Sequence, residues 1–456
     1  MAYKNENTRA TEALQLFRSH LMDQFTISLP IILYCFKILK DSEHVDSYLK
    51  EPCNFIKIDA ALTLLMTLLV IHLGGFECIS HYQKHYGHCL SIINGNFAIY
   101  CADRLREILA LIPGSMMSWK LFLLQRRLVE QYDPSLCNSK YGKVLDIDGM
   151  ALVSYSKDRE GSDFGHSKKF KGRRLLQVSA SFIGKFFVDC KLFSGNTNTA
   201  TFLPKAIKRV ISLGYKFTIV RADALYGNAK NLLFIEKLSL LYAIGISKGL
   251  KAIKEGKNIF IKLARQKSSK IIHISKGISI MSLGLVNIAK ATEKAIFRNV
   301  ILCRRIHRRK KNGKWIIKVY FHAIVTNLDW TPRAIYNFYM KRQAIENGFK
   351  ELRYHYSINN FCKNGEESLK ANELWISSKI FAMTMYKIFA ETMLSKRLKY
   401  KRRKTLLRDL FENTISRVEG NRVILIRKPL HLWHLKRIIT KLEQDKFLLK
   451  PYKIGA

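Results

Sequence analysis

Negative charge is scarce in this chain of 456 residues, which has 35 aspartates and glutamates against 78 lysines and arginines, a formal net charge of +43 at pH 7. An excess of this size opposes compaction and solubility unless a polyanion neutralises it. The charge therefore favours a nucleic-acid partner over an anionic membrane surface. Biased codon usage is a second source of lysine, and the composition alone does not separate the two.

Long apolar runs and an export signal are also lacking. The most apolar stretch, residues 60–73, is shorter than the roughly 18 to 20 residues that a membrane span requires. Residues 1–17 contain no apolar core of the kind found in a signal peptide. We expect the apolar stretch to be a buried helix and the protein to have no membrane partner.

Cysteine is limited to nine residues, an odd number with no CxxC pair. This pattern argues for a reducing compartment such as the cytoplasm rather than for a disulfide framework. One local group, Cys78, His81, His85, His88 and Cys89, has spacings that suit a metal ion. It matches no known zinc finger closely, so a structural zinc site and ordinary histidines on a helix surface both stay open.

The pattern of apolar residues changes along the chain. Residues 1–140 carry leucine and isoleucine at helical spacings, whereas from Lys143 the pattern indicates three strands, a helix, a strand, a helix and a strand. That order is typical of a ribonuclease H-like core. We therefore predict an α/β protein with a helical amino-terminal domain (1–140), the first part of the core (141–250), a β-rich insertion (251–330) with strand-like runs such as NIFIKLA, the end of the core (331–395) and a basic helical carboxyl-terminal region (396–456).

Residues 335–356 read as one helix with a polar stripe. At about 100° per residue, five side chains point within about 80° of one another: Tyr339, Arg342, Glu346, Lys350 and Arg353. Glu–Lys pairs at i,i+4 on a solvated face explain such a stripe. A metal-binding carboxylate among cations that grip phosphates explains it equally well, provided that other segments supply further carboxylates.

Two strand-like runs supply them. In VLDIDG (144–149), Asp146 and Asp148 alternate with apolar residues and therefore share one face of a strand. Asp223 ends a β-branched run just before a polar turn. A buried aspartate is costly unless it is paired or bound to a cation. Asp148 and Asp223 are thus the candidate metal ligands, and Asp146 is the reserve for Asp148.

Together these motifs resemble those of bacterial insertion-sequence transposases of the DDE class, in the insertion-sequence-four-like group, over roughly residues 143–380. The signature helix of that family reads Y, two residues, R, three residues, E, six residues, K. Tyr339, Arg342, Glu346 and Arg353 fall on these spacings, with arginine in place of the last lysine. Arginine is a planar fork and lysine a point charge, so either Arg353 or Lys350 is the counterpart of the family lysine.

The aspartate runs carry the rest of the resemblance. DIDG and RADALYG are similar to the first and second aspartate motifs of the family. The family's first motif usually continues with threonine or serine, where this chain has Met150. The β-rich insertion before the catalytic glutamate is also what the resemblance implies.

The resemblance implies two-metal phosphoryl transfer on DNA, with Asp148, Asp223 and Glu346 as catalytic residues that hold Mg²⁺, for which Mn²⁺ can substitute. Water first nicks the transposon end, and the freed 3′-hydroxyl then attacks target DNA. The implied partners are double-stranded DNA, as terminal repeats and as target, and a second copy of the chain in the DNA complex.

The phosphates beside the scissile bond are contacted, on this interpretation, by Tyr339, Arg342 and either Lys350 or Arg353. Two alternatives remain. One is a nuclease of the same fold that only hydrolyses DNA. The other is a catalytically inactive DNA-binding derivative, an interpretation that Met150 and Arg353 favour.

Other segments are candidate DNA contacts. The helical amino-terminal domain is a place for a helix-turn-helix, although its recognition helix is not identifiable. The basic loop at residues 304–314 suits phosphate contacts and, equally, a solvated hairpin. Trp315 and Trp330 have rings that can stack on a displaced base, but we expect both to pack in the core.

Overall fold

The computed structural model describes residues 31–32, 34–39, 58–93, 97–112, 114–132, 143–165, 170–247, 249–289, 295–311, 314–395, 398, 416–419 and 422–425. The chain divides into two compact units. The helical unit comprises residues 1–132, 153–162 and 350–456, and the sheet unit comprises residues 133–152 and 163–349.

In chain order, the helices are α1 (Ile58–Leu73), α2 (Ile79–Ile93), α3 (Ala102–Leu111), α4 (Gly114–Tyr132), α5 (Leu203–Ser212), α6 (Ala229–Lys237), α7 (Lys251–Arg265), α8 (Pro332–Met340), α9 (Gln343–His355) and α10 (Ser368–Met393). The strands are β1 (Val144–Val153), β2 (Asp163–Phe164), β3 (Arg174–Ile183), β4 (Phe186–Ser194), β5 (Ile219–Ala222), β6 (Leu241–Ile246), β7 (Ile272–Ser275), β8 (Ile278–Asn287), β9 (Phe297–Lys311), β10 (Lys314–Thr326), β11 (Ser416–Glu419) and β12 (Arg422–Leu425).

One mixed sheet organises the sheet unit. Its strand order is β2-β3-β1-β5-β6-β10-β9-β8-β7, and β4 pairs with β3. β5 runs parallel to both β1 and β6, whereas β3 and β4 are antiparallel. The run β4-β3-β1-β5-β6 has the strand order of a ribonuclease H-like core, with β1 at its centre. The predicted α/β class and core are therefore confirmed.

The predicted insertion extends this sheet. β10 pairs antiparallel with β6 over Ala323–Thr326 and with β9 along its whole length. The prediction of a strand for the run NIFIKLA is wrong, because this run lies inside α7. Ile253, Gly256 and Phe260 are the buried residues of α7, at helical spacing. The alternation of apolar residues over only a few positions imitated a strand.

α8 covers part of one sheet face. Ile335 and Tyr336 of α8 are buried in a cluster with Ile219, Ile301 and Ile324 of three different strands. Ile219 lies two residues before Arg221, so this is also the face to which Arg221 points. The packing therefore fixes the start of α8 above β5.

The helix predicted over residues 335–356 is two helices, which corrects the prediction of a single one. α8 ends at Met340 and α9 begins at Gln343. Between them, the amides of Lys341 and Arg342 donate to carbonyls three residues earlier, those of Phe338 and Tyr339. This tighter turn interrupts the helix. Neither glycine nor proline marks the break, so it was not predictable from residue type.

α9 is held by a close approach to the sheet strands. A Cβ atom added at Gly348 would lie 2.9 Å from the ring of Phe187 on β4. The ring of Phe349 packs 5.3 Å from the same phenylalanine, centroid to centroid. A side chain at position 348 would require either the Phe187 ring to shift or α9 to move away from the sheet.

The helical unit is built around α10, which is buried along most of its length and packs against α1 and α4. The apolar stretch predicted as a buried helix is α1, in which residues 64–73 are all buried. No single helix of the described residues is long and apolar enough to cross a membrane. α3 and α4 reach that length and composition only as a pair, which is bent by 102°.

The carboxyl-terminal region was predicted to consist of basic helices. β11 and β12 form a short antiparallel hairpin within it. The two predicted helices, at residues 396–411 and 433–447, fall almost entirely outside the described residues.

Candidate active site

β1 and β5 bring four charged residues to one face of the sheet. Their parallel register places Asp146 opposite Arg221. Two residues further along, on the same face, come Asp148 in β1 and Asp223 directly after β5. The sequence predicted that Asp146 and Asp148 share a face, but it did not identify Arg221. The available signal was its alternation with Asp223 in a strand-like run.

Asp146 and Arg221 form a closed ion pair. Arg221 donates from Nε and Nη2 to the two carboxylate oxygens, at 2.8 and 2.7 Å, and both residues are buried. Burial raises the pKa of Asp146, although Arg221 opposes the rise. The third guanidinium nitrogen of Arg221 donates to the carbonyl of Phe338 in α8, at 2.6 Å. Asp146 is therefore engaged by a cation rather than available as a reserve metal ligand.

Asp148 and Glu346 meet at one guanidinium. Arg342 donates from Nη1 to Oδ2 of Asp148 at 2.9 Å and from Nη2 to Glu346. The second carboxylate oxygen of Glu346 accepts from the side-chain amide of Gln343 at 2.9 Å. Asp148 and Glu346 come from segments that are far apart in sequence. The structure thus brings together three of the residues that the sequence singled out.

Asp223 and Tyr339 complete the surroundings. Asp223 follows β5 and accepts a hydrogen bond from the amide of Leu225, which shapes the turn. The Tyr339 hydroxyl lies beside this turn, because a Cβ atom added at Gly245 would be 2.9 Å from that hydroxyl and 2.7 Å from the amide nitrogen of Ala224. A glycine at position 245 therefore lets the tyrosine approach the ends of β5 and β6.

The electrostatics of the site show surplus negative charge. Burial, together with the carboxylates of Asp223 and Glu346, raises the pKa of Asp148 to about 7, against the lowering effect of Arg342. Burial by itself lowers the pKa of Arg342, but Asp148, Tyr339 and Glu346 outweigh it and the net direction is upward. Burial raises the pKa of Tyr339 to about 12, so this residue is a neutral hydrogen-bond donor.

The donor set suits a divalent cation. Three carboxylates supply the hard oxygen ligands that Mg²⁺ prefers, and a buried aspartate with a raised pKa is a group that a cation stabilises in its ionised form. As they stand, no three acidic, histidine or cysteine side chains in the described part of the chain are grouped to hold a metal ion. Arg342 contacts both Asp148 and Glu346, and its movement is what would free them as ligands.

Lys350 and Arg353 lie further along α9, within the helical unit. Lys350 is exposed and Arg353 is half-buried. Nε of Arg353 is buried and has no hydrogen-bond partner among the residues that the structure describes. Met150, the departure in the first aspartate motif, is buried in β1 on the sheet unit.

The two tryptophans were predicted to pack in the core, and this prediction is wrong. Trp315 is 68% exposed near the start of β10, and Trp330 is 44% exposed just before α8. Trp330 packs edge-on against Phe338 at 5.2 Å. In the projecting half of the β9–β10 hairpin, His307, Arg308 and Lys310 are exposed. The predicted basic loop is thus part of an exposed two-stranded ribbon.

The cysteine and histidine group lies in and before α2. His81 and His85 pack against each other and against Phe76, with ring centroids 5.3 to 5.9 Å apart. Cys89 is buried, and the side chain of His88 is outside the described residues. The described side chains of this group form aromatic packing rather than a metal cluster.

Comparison with known proteins finds matches among protein families and among solved structures. The model of the family described as transposase DDE domain matches residues 142–383, about half of the chain. Among solved structures, a piggyBac transposase synaptic complex with hairpin DNA is similar, with 12% identity and a TM-score of 0.42 over 93% of this chain and 86% of that one. No curated protein has a matching sequence.

Proposed function

Since the chain belongs to the family of transposase DDE domains, we propose that it is a DNA transposase that cleaves DNA at transposon ends and joins the freed ends to target DNA. The observation that carries the proposal is the convergence of Asp148 and Glu346 on Arg342, beside Asp223. Members of the family typically use divalent metal ions. We propose Mg²⁺ here, held by the three carboxylates.

The bound ions would stabilise the attacking and leaving oxygens of an in-line displacement at phosphorus. The protein supplies the position of each group. Asp148 is fixed by a central strand and Glu346 by the first turn of α9. The neutral hydroxyl of Tyr339 can donate a hydrogen bond. The planar guanidinium of Arg342 suits a phosphate as well as a carboxylate. We assign these two residues to the phosphates beside the scissile bond.

The proposed partners are double-stranded DNA, as transposon ends and as target, and a second copy of the chain in the DNA complex. The large positive net charge supports the DNA assignment. For Lys350 and Arg353 we propose contacts to the same DNA strand further along α9.

The test of the catalytic assignment is Glu346→Gln, which keeps the shape of the side chain and removes its charge. We expect metal-dependent cleavage of end-containing DNA to collapse by several orders of magnitude. DNA binding should persist or strengthen, because a negative charge near the phosphate path is lost.

The control variant is Glu351→Gln on the same helix. Glu351 pairs with Lys387 at 3.6 Å in the helical unit. The control variant therefore also removes one negative charge from α9, but at a residue that is not part of the candidate site. Cleavage should stay near the parent rate, with a modest drop in thermal midpoint. Equal cleavage by both variants and the parent would show that Glu346 holds no catalytic metal.

Strand transfer separates the proposed transposase from a nuclease of the same fold. A substrate with a free 3′-hydroxyl end and a target plasmid should give joined products with the parent protein and Mg²⁺. Nicking without joining would identify a hydrolase. Neither nicking nor joining, with or without metal, would identify an inactive DNA-binding derivative.

A further inference from the structure

The ion pair of Asp146 and Arg221 is tied to the junction between α8 and α9. Arg221 has three donor nitrogens in use, two on Asp146 and one on the Phe338 carbonyl, and its guanidinium lies 4.7 Å from the centroid of the Phe338 ring. Phe338 is four residues before Arg342. In a continuous helix, its carbonyl would accept from the amide of Arg342.

The structure shows a different arrangement of these backbone groups. The amide of Arg342 donates to Tyr339 at 3.0 Å, and the carbonyl of Phe338 accepts from Lys341 and from Arg221. The shorter of these two bonds to Phe338 comes from Arg221, at 2.6 Å against 3.2 Å. Arg221 thus supplies to this carbonyl the donor that continuation of the helix would have supplied. The chain turns at this point, and Arg342 then reaches Asp148 and Glu346.

We propose that Arg221 and Asp146 are positioning residues, which hold the α8–α9 junction so that Tyr339, Arg342 and Glu346 face Asp148 and Asp223. The geometric part of this inference stands by itself, and its catalytic part rests on the proposed function. A buried ion pair is a poor device for stability alone, because apolar residues of similar volume commonly fold as well or better. A guanidinium held between the sheet and the α8–α9 junction explains why this ion pair is present.

The sheet unit provides a matched pair for comparison. Arg209 on α5 donates to both carboxylate oxygens of Asp189 on β4, at 2.9 and 2.7 Å, and Asp189 is buried. This pair has the same chemistry and a similar geometry. It joins α5 to β4, so it reports what loss of a bidentate ion pair between two other elements does.

The experiment replaces each pair by apolar residues in the full-length protein. The test variant is Asp146→Leu with Arg221→Met, and the control is Asp189→Leu with Arg209→Met. Hydrogen exchange of peptides covering residues 338–349 is measured without metal or DNA. Single-turnover cleavage of end-containing DNA with Mg²⁺ and the Kd for that DNA are measured separately.

We expect exchange over residues 338–349 to be at least tenfold faster in the test variant and unchanged in the control. Cleavage at saturating DNA should fall 10- to 100-fold in the test variant only, with Kd within twofold of the parent. Arg221→Lys keeps the charge beside Asp146 but offers no fork. It should show the same faster exchange with a smaller loss of rate.

Parental exchange and parental cleavage in a folded test variant would overturn the proposal. If the double variant does not fold, Arg221→Lys decides by the same two readouts. If the parent does not cleave DNA, the proposed function fails, and the exchange measurement still decides whether Arg221 holds the junction.

Discussion

Two neighbouring levels on β1 and β5, Asp146 with Arg221 and then Asp148 with Asp223, differ in their balance of charge. At the first level, Asp146 on β1 faces Arg221 on β5, and two buried hydrogen bonds join the two charges. At the second level, Asp148 and Asp223 are both acidic, and the cation that contacts Asp148 is Arg342, from the α8–α9 junction. The comparison teaches that the fold places a neutralised, rigid pair directly beneath an unneutralised one. The first level holds the neighbouring elements in position, and the second level keeps carboxylates that can bind a cation.

Asp148→Asn should break the second level and cause the largest effect on activity. We expect cleavage to fall by about 10³-fold or more, because a ligand of the reacting centre loses its charge. The thermal midpoint should change little, since the raised pKa of Asp148 means that its neutral form is already tolerated near pH 7. Cleavage assays and thermal unfolding in metal-free buffer check both statements.

Asp146→Asn should disrupt the first level, and its larger effect should be on stability rather than on cleavage. It leaves the buried Arg221 without its carboxylate, and we expect a loss of about 3 kcal/mol in the free energy of unfolding. Chemical denaturation without metal measures this loss. A larger destabilisation from Asp148→Asn than from Asp146→Asn would contradict the division between the two levels.

This difference between the levels also marks what the sequence could predict. Alternation in β1 predicted that Asp146 and Asp148 share a face, because strand periodicity is local. It did not predict that Arg221 lies opposite Asp146, because that depends on the register between two separate strands. The short-range spacing of Tyr339, Arg342 and Glu346 was likewise readable. The turn at Lys341 was not, because it depends on packing of α8 on the sheet and on the bond from Arg221.

Larger features followed the same rule. The order of core strands and helices was predicted because each element has its own apolar period. α7 was misread in part because only a short window was matched to a strand. Exposure of Trp315 was not predictable, since the part of β9 and β10 that runs past β8 and β6 keeps strand periodicity although no further strand pairs with it.

Lys379 sharpens the comparison, because it is a buried charge with carbonyls in place of a carboxylate. Its ammonium donates to the carbonyls of Ser357 and Asn360, both at 2.7 Å. Burial lowers its pKa to about 7, whereas nearby Cys362, Cys78 and Glu77 oppose the lowering. Between pH 7 and the unfolded value of about 10.4, the unfolded chain binds a proton that the folded chain does not.

The contribution of Lys379 to stability should therefore rise with pH over that window, by about 1.4 kcal/mol per pH unit. Lys379→Met should remove this rise while Asp146→Asn should leave it in place. Urea unfolding at pH 7.5, 8.5 and 9.5 checks the slopes. Equal slopes in the parent and Lys379→Met would show that Lys379 titrates normally.

Exposed cations should give the smallest effect. Arg308 and Lys310 are exposed on the β9–β10 ribbon, whereas Arg221 is buried. If the ribbon contacts phosphates, Arg308→Gln and Lys310→Gln should each reduce the slope of log Kd against log salt by roughly 0.9. Arg221→Lys should leave the slope unchanged. A parent affinity that is almost independent of salt would point to a partner other than DNA.

The interruption between α8 and α9 has a further consequence for Glu346. In a single helix from Pro332 to His355, Glu346 would lie in the middle, where the aligned peptide dipoles offer no net charge. Because α9 begins at Gln343, Glu346 instead occupies the first helical turn. The partial positive charge at the start of a helix attracts an anion by about 0.3 to 1 kcal/mol. The interruption of the helix therefore also provides a favourable field for an acidic side chain before any ion or nucleic acid has bound.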